Sequence, residues 1–338
     1  MINKNDKFDK NNYYKKIAVS ISILISIFII SLFIGRYSIN INEIFKAINN
    51  IFSTNDLNEI NSSDWRVFYY IRLPRIILVM AVGSALSVTG AVYQSIFHNP
   101  LVSPNILGVS AGAGFGVAFA MLATNGSLFW IYGFSFVFGI IAVIFSYFIS
   151  RMSKGHNVMK MVLAGIVVAS LFNAMLSILK YLADPLNELP GIVFWLMGGF
   201  NRAGWKEVKF IIPIVIISII IIYLMRWYLN VMSMGDEEAL AMGVNVKLLR
   251  TVLITFSTFM VAASVATTGQ ITWIGLVIPH IARFLFGSDH KMMIPQTIIL
   301  GAAFLLVMDD IARSLTSAEI PISIITAFVG APFFAYLL

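Results

Sequence analysis

Residues 17–35 read IAVSISILISIFIISLFIG, a strongly apolar run about as long as a helix needs to cross a bilayer. A basic stretch that includes Lys15 and Lys16 precedes it, but no small-residue cleavage site with a polar continuation follows. A retained first span is therefore favoured over a secretory signal. Of the 338 residues, 59% are hydrophobic and only 12% are charged, against about a quarter in soluble domains. Lipid is the expected solvent for much of the surface.

About ten apolar segments follow this pattern along the chain. Each could cross a hydrocarbon core of about 30 Å, although the shortest would do so only when shielded by other helices. The predicted spans are 17–35, 72–95, 107–123, 129–150, 158–180, 209–229, 250–268, 272–286, 294–312 and 323–337, with a short surface helix near 191–200. The sequence thus predicts an all-α polytopic membrane protein, with residues 17–338 forming a single transmembrane domain.

The distribution of basic residues indicates the orientation only weakly. The formal net charge of +7 comes partly from an N-terminal cluster that is typical of a cytoplasmic anchor beside anionic lipid, not of a nucleic-acid surface. With the N-terminus inside, little more than half of the 23 basic residues lie on the cytoplasmic side. We expect residues 1–16 to be a cytoplasmic tail. The cluster consists of Lys4, Lys7, Lys10, Lys15 and Lys16.

Several classes of chemistry lack the residues that they need. The chain has no cysteine, so thiolate catalysis, disulfides and Cys-based metal sites are excluded. No Ser/His/Asp set, HExxH motif or catalytic carboxylate pair is found, and we expect no catalytic residue, no metal site and no cofactor. A proton-driven carrier would be expected to carry mid-membrane carboxylates, and no such series is present.

Residues 107–116 read LGVSAGAGFG, and three of the glycines are spaced by four. The stretch lacks the Lys-Ser/Thr of a phosphate-binding loop and the acidic ribose partner of a dinucleotide fold. Gly108, Gly112 and Gly116 would leave bare patches on one helix face, where a neighbouring backbone can approach closely. Helix packing is the favoured interpretation, and ligand contact is the alternative.

Residues 234–250 read MGDEEALAMGVNVKLLR and separate two apolar spans. Asp236 could cap a short helix whose first turn holds Glu237 and Glu238, and which continues through Ala239 and Leu240. Gly243 is suited to end that helix, and Asn245 could cap the next one. Such a compact helix could be built to be gripped by a partner, or it could be an ordinary solvated turn.

Charged residues also lie where spans begin and end. Arg72 and Arg75 flank Leu73-Pro74 at the outer entrance to the second span, and Arg313 lies on the same side in the predicted topology. Exposed guanidinium groups there could bind lipid phosphate or pair with carboxylates on a partner. Asp309 and Asp310 precede Arg313 by four and three residues, which predicts pairing along the helix.

Four segments together resemble the FecCD-type permeases. They are RLPR at 72–75, FHNPLVSPNILGVSAGAGFG at 97–116, GQITWIGLVIPHIAR at 269–283 and PISIITAFVGAPFFAYLL at 321–338. The likeness runs from about residue 30 to the end. It implies the architecture of a type II ABC importer permease in a bacterial inner membrane, with ten spans per subunit and ATP-driven alternating access.

The resemblance also implies partners and site residues. The expected partners are a second permease subunit, two cytoplasmic ATPases that carry the hydrolysis, and an extracytoplasmic binding protein. Arg72, Arg75 and Arg313 match outer arginines that meet glutamates of the binding protein. The segment 235–249 matches the coupling helices, and the cytoplasmic gate matches Asn99, Pro100 and Leu101, with residues 156–159 a poorer match.

The family transports ferric siderophores, haem and cobalamin, so an iron chelate is the expected ligand and a ferric siderophore the first choice among them. The alternative from another class is a stand-alone secondary carrier or channel that needs no ATPase. That alternative would require ionisable residues at mid-membrane and an unremarkable loop between the sixth and seventh spans.

Overall fold

A computed structural model describes residues 4–35, 37, 40, 42, 63–124, 126–152, 158–316 and 318–337. All regular structure in these ranges is helical. The helices are α1 (Lys4–Phe33), α2 (Ser63–Ile96), α3 (Val109–Ala123), α4 (Leu128–Met152), α5 (Val158–Leu182), α6 (Glu188–Leu196), α7 (Trp205–Leu224), α8 (Arg226–Met232), α9 (Asp236–Ala241), α10 (Val246–Thr268), α11 (Ile274–Phe286), α12 (His290–Ser314) and α13 (Ile322–Leu337).

Each of the ten predicted apolar segments corresponds to a helix, in the predicted order. Seven helices of the described part are long and apolar enough to cross a membrane, and α3, α11 and α13 are shorter apolar helices beside them. The boundaries differ where local chemistry extends a helix. The first helix begins at Lys4, inside the segment predicted as a tail, and α2 begins at Ser63 because residues 67–72 continue it as a π-helix. The short helix α6 ends before Gly198, whose φ is +71°.

Helix α2 forms the centre of the bundle. Within its most apolar window 89% of the residues are buried, against 11% for α1, so α2 is covered by protein whereas α1 lies at the periphery. Glycines bring the neighbours of α2 close: a Cβ on Gly83 would lie 2.3 Å from the Gly301 carbonyl oxygen of α12. A Cβ on Gly90 would lie 1.9 Å from the Gly275 carbonyl oxygen of α11. Such backbone approach is how helices pack tightly in lipid.

The central helices connect two ends of the bundle. The α-helical part of α2, Leu73–Ile96, is 24 residues long and about 36 Å in length at 1.5 Å per residue. At its start lies the arginine end, defined by Arg72, Arg75 and Arg313. At its finish lies the loop end, defined by residues 98–101 and 234–249. Helices α10 and α12 also run between these two ends. The three helices therefore link the arginine end to the loop end directly.

Candidate functional site

At the arginine end, Arg75 binds two carboxylates through different edges of its guanidinium group. Its Nε and Nη2 donate to Asp309 of α12, with Nε to Oδ2 at 3.0 Å and Nη2 to Oδ1 at 2.8 Å. Its Nη1 and Nη2 donate to Glu319, at 2.8 Å to Oε1 and 2.9 Å to Oε2. Both pairs are bidentate, the strongest geometry for such a pair.

The other two arginines join α1 to the same cluster. Arg313 pairs with Asp310, lies 3.8 Å from Asp309, and donates from Nη2 to the Ser31 carbonyl oxygen at 2.6 Å. Arg72 donates to the backbone carbonyl oxygens of Leu32 and Tyr37. The predicted pairing of Arg313 with the two aspartates three and four residues earlier is confirmed.

The expectation that these arginines are exposed is wrong. Arg72, Arg75 and Arg313 are 4%, 7% and 5% exposed. Burying a guanidinium group carries a large desolvation penalty unless carboxylates and carbonyl oxygens bind it. Here the carboxylates of Asp309, Asp310 and Glu319 lie in the same cluster. The structure brings the three arginines together, as the predicted topology requires. Their guanidinium groups bind carboxylates and carbonyl oxygens of this chain. Their part in docking a partner stays a prediction.

At the loop end, α2 is followed by a tight turn. His98 has a positive φ of 49°, and its Nε2 lies 2.6 Å from the Met232 carbonyl oxygen of α8. The Asn99 side chain accepts a hydrogen bond from the Leu101 amide at 2.9 Å. Asn99, Pro100 and Leu101, the predicted gate residues, are all exposed. The turn is thus held at its start by the His98 contact, and its tip is exposed on the surface of the chain.

The predicted coupling segment is a short helix with an exposed apolar edge. Ala239 is fully buried, whereas Leu240 and Met242 are 60% and 53% exposed, with Glu237 and Glu238 exposed beside them. Met242 follows α9, and Gly243 after it adopts φ +78°, which an L-residue rarely does. An apolar edge with acidic neighbours is a surface suited to a partner protein.

The caps of this segment agree only in part with the sequence. Asn245 caps α10 as predicted, accepting from the Leu248 amide at 3.1 Å. Asp236 does not cap α9: Gly235 occupies the N-cap position, and Asp236 pairs with Arg250 at 2.6 Å. The carboxylate is drawn to a guanidinium on the next helix because a charged partner outweighs a backbone amide.

The turn after α2 and the coupling segment share one groove. A cavity of about 530 Å³ is lined from one side by Asn99 and Leu101 and from the other by Asp236 and Glu237. Met159, from the poorly matched second gate segment 156–159, also lines it. Val158 begins α5, and residues 156 and 157 lie outside the described residues. Two motifs more than a hundred residues apart in the sequence are therefore neighbours.

The glycines spaced by four lie against two different helices. A Cβ on Gly112 would lie 2.4 Å from the Phe138 carbonyl oxygen of α4, and one on Gly116 would lie 2.4 Å from that of Phe134. Gly108 precedes α3 with φ +82°, and its Cβ would instead lie 3.3 Å from the Ala169 amide nitrogen of α5. Gly112 and Gly116 thus set the distance between α3 and α4.

Sequence reasoning missed two residues of the arginine cluster. Glu319, in the connection between α12 and α13, and Ser31, near the end of α1, carry no local signal because their partners lie hundreds of positions away. Among the residues that the structure describes, no group of three His, Asp or Glu side chains could hold a metal ion. Arg75 and Arg313 pair with the carboxylates of the cluster, which makes it an ion-pair network.

Comparison with known proteins gives matches over nearly the whole chain. The model of the FecCD transport family matches residues 23–338. The "Molybdate import system permease protein MolB" of Haemophilus influenzae is 38% identical over 326 residues, covering 96% of this chain and 95% of that protein. A Helicobacter pylori protein named "Probable iron chelatin transport system permease protein" is 34% identical over 312 residues, covering 92% and 94%.

A solved structure shows the same arrangement of helices. It captures "an inward-facing conformation" of a "metal-chelate type ABC transporter", with a TM-score of 0.86 and 36% identity, covering 96% of this chain and 99% of that one. The likeness thus extends from the sequence to the three-dimensional structure.

Proposed function

The chain belongs to the FecCD transport family of ABC importer permeases, and we propose that it is the membrane-spanning subunit of an importer for an iron chelate. A ferric siderophore is the first candidate ligand, and haem or the cobalt complex cobalamin are the alternatives. The subunit binds no catalytic cofactor in this proposal, and a separate ATPase supplies the energy.

The observation that carries the proposal is the groove shared by the turn after α2 and the coupling segment. Its walls are the proposed cytoplasmic gate, Asn99–Leu101, and the acidic start of α9. Beside it, Leu240 and Met242 offer apolar side chains that a cleft of an ATPase would cover. A movement of the ATPase would then act directly on the gate, which is what alternating access requires.

This assignment proposes an orientation for the chain. If the loop end is cytoplasmic, the N-terminal part of α1, which carries Lys15 and Lys16, is cytoplasmic too. The Lys16 ammonium donates to the Leu285 carbonyl oxygen at 3.0 Å, near the end of α11. The arginine end then faces outward, where an extracytoplasmic binding protein would dock through carboxylates near Arg72, Arg75 and Arg313. Ten spans and an N-terminus inside agree with this arrangement.

A second permease subunit is proposed to complete the path. In the chain alone, exposed apolar side chains such as Phe328 and Tyr336 line α13, and α5 exposes Leu163, Ile166 and Val167. Lipid would cover the exposed apolar side chains at the periphery. A second, similar subunit would cover those at the interface between the two permeases. Either environment is apolar, as these side chains require.

Molybdate is a second candidate ligand. It is supported by the 38% identity to MolB over 96% of this chain, whereas the iron chelate is supported by the H. pylori protein and by the metal-chelate-type structure. The two differ in size and chemistry, one being a small oxyanion and the other a bulky organic complex.

Uptake by the reconstituted transporter distinguishes them. Proteoliposomes that contain the permease with its ATPase and binding protein would be supplied with radiolabelled ferric siderophore, alone and with an excess of unlabelled haem, cobalamin or molybdate. A separate assay would supply radiolabelled molybdate. The proposal predicts uptake of the iron chelate that molybdate does not reduce. Uptake of labelled molybdate without uptake of any chelate would replace the first candidate by the second.

A further inference from the structure

Glu319 occupies the place where a partner carboxylate would reach Arg75. A guanidinium group has a side-on edge, Nε with Nη2, and an end-on edge, Nη1 with Nη2. Asp309 holds the side-on edge and is 1% exposed, while Glu319 holds the end-on edge and its side chain is 32% exposed. The end-on edge of Arg75 is therefore bound by Glu319, the more exposed of the two carboxylates.

The segment that carries Glu319 forms backbone hydrogen bonds with two other parts of the arginine end. The Ile320 amide donates to the Ala312 carbonyl oxygen at 3.2 Å, and the Ile322 amide donates to the Gly198 carbonyl oxygen at 3.0 Å. Gly198 belongs to the connection after α6, so the segment bridges α12 to that connection. Movement of Glu319 would therefore disturb the backbone hydrogen bonds to Ala312 and to Gly198.

A cavity of about 270 Å³ is lined in part by this segment. Arg75, Asp309 and Glu319 line one part of it, and Arg202 and Thr268 line another. The Gly199 amide donates to the Thr268 carbonyl oxygen at 2.8 Å, which anchors the connection after α6 to the end of α10. The Arg75–Glu319 pair thus forms part of the wall of a cavity at the arginine end.

We propose that Glu319 is an internal substitute for a carboxylate of the docked binding protein, and that docking exchanges one carboxylate for the other at Arg75. The inference rests on the proposed function, which supplies the binding protein. A partner carboxylate takes the end-on edge, Glu319 is released, and the segment from Ala318 to Ile322 is freed from α12. Asp309 remains on the side-on edge throughout, so the buried guanidinium is never left without a partner.

The exchange makes docking weaker than it would be at a vacant arginine, because Glu319 must be displaced first. The variant Glu319→Gln removes the competing charge while Arg75 keeps Asp309, so the protein should fold. Its affinity for the binding protein should rise about tenfold, which is the factor that loss of one hydrogen-bonded charge pair of 1.4 kcal/mol would produce. Glu188→Gln is the matched control, because it removes the same charge at the same end without touching Arg75.

The experiment measures binding of the purified binding protein to the permease in nanodiscs, together with hydrogen exchange of the Ile320 and Ile322 amides. Tighter binding by Glu319→Gln alone, with faster exchange at these amides in the variant and in the docked wild type, is the expected result. Glu319→Asp, which keeps the charge but shortens the reach, should also bind more tightly than wild type.

Two results would overturn the exchange while leaving the proposed function intact: unchanged or weaker binding by Glu319→Gln, or equal tightening by Glu188→Gln, which would indicate long-range charge steering. Failure of the wild-type permease to bind any binding protein would overturn the proposed function, and the exchange with it.

Discussion

The arginine end and the loop end are both rich in charged residues, but the structure treats them in opposite ways. At the arginine end, Arg75 and Asp309 are 7% and 1% exposed and pair within the chain. At the loop end, Glu237 and Glu238 are exposed beside Leu240 and Met242. A closed, self-compensated network holds helices together, whereas an open acidic and apolar surface is available to a partner. The difference indicates that a partner at the arginine end would meet charges that are already paired, whereas a partner at the loop end would meet an open surface.

The largest expected effect comes from breaking the closed network. Asp309→Asn removes the buried carboxylate that binds Arg75 and lies beside Arg313. It should destabilise the folded protein by about 3 kcal/mol, since Arg75 then keeps only the partly exposed Glu319 and a buried ion-pair network loses one of its members. Thermal unfolding in detergent, read as loss of the monodisperse protein, measures this.

Asp236→Asn is the matched change at the loop end. Asp236 also pairs with an arginine, but its side chain is 32% exposed, so the loss should be about 1 kcal/mol or less. Equal destabilisation by the two variants would contradict the contrast between the ends.

The next effect tests whether the loop end is a contact surface. Leu240→Asp places a charge on the exposed apolar edge of α9, where an ATPase cleft would have to bury it. Assembly with the ATPase should weaken by about 2 kcal/mol, roughly thirtyfold, while the unfolding temperature of the permease alone stays unchanged. Pull-down of the ATPase at graded concentrations measures the first quantity. Full assembly with the variant would remove α9 from the interface.

The smallest effect on transport concerns the turn that ends α9. Gly243→Val forces a β-branched residue into φ +78°, a strain of about 1–2 kcal/mol that would shift the segment. Uptake per ATP hydrolysed should fall about tenfold, the factor that 1.4 kcal/mol corresponds to. The measurement is simultaneous ATPase activity and uptake in proteoliposomes.

Gly287→Val provides the control for that turn. Gly287 has φ +84° and, like Gly243, nothing within 4 Å of its added Cβ, but it lies after α11. Its variant carries the same backbone strain and should keep uptake coupled. Loss of coupling in both variants would show that strain alone, and not the position of Gly243, is responsible.

The sequence predicted what depends on local chemistry. Hydropathy located the ten apolar helices, the pairing of Arg313 with residues three and four positions earlier followed from helix geometry, and Asn245 was recognised as a cap. Burial of Arg75 could not be predicted in this way, because Asp309 lies 234 positions away in the sequence. Asp236 was misplaced as a cap for a related reason, since Arg250 lies on the following helix. Long-range ion pairs decide exposure, and exposure decides which charges can meet a partner.

The most direct test of the account is whether uptake depends on ATP hydrolysis through the loop end. Proteoliposomes with the complete transporter would be loaded with ATP or with a non-hydrolysable analogue, and accumulation of the labelled iron chelate would be followed in the presence of the binding protein. Accumulation only with ATP, strongly reduced by Leu240→Asp, is the predicted result. Equal transport by the permease alone, driven by the ligand or proton gradient, would contradict it and identify a stand-alone carrier or channel.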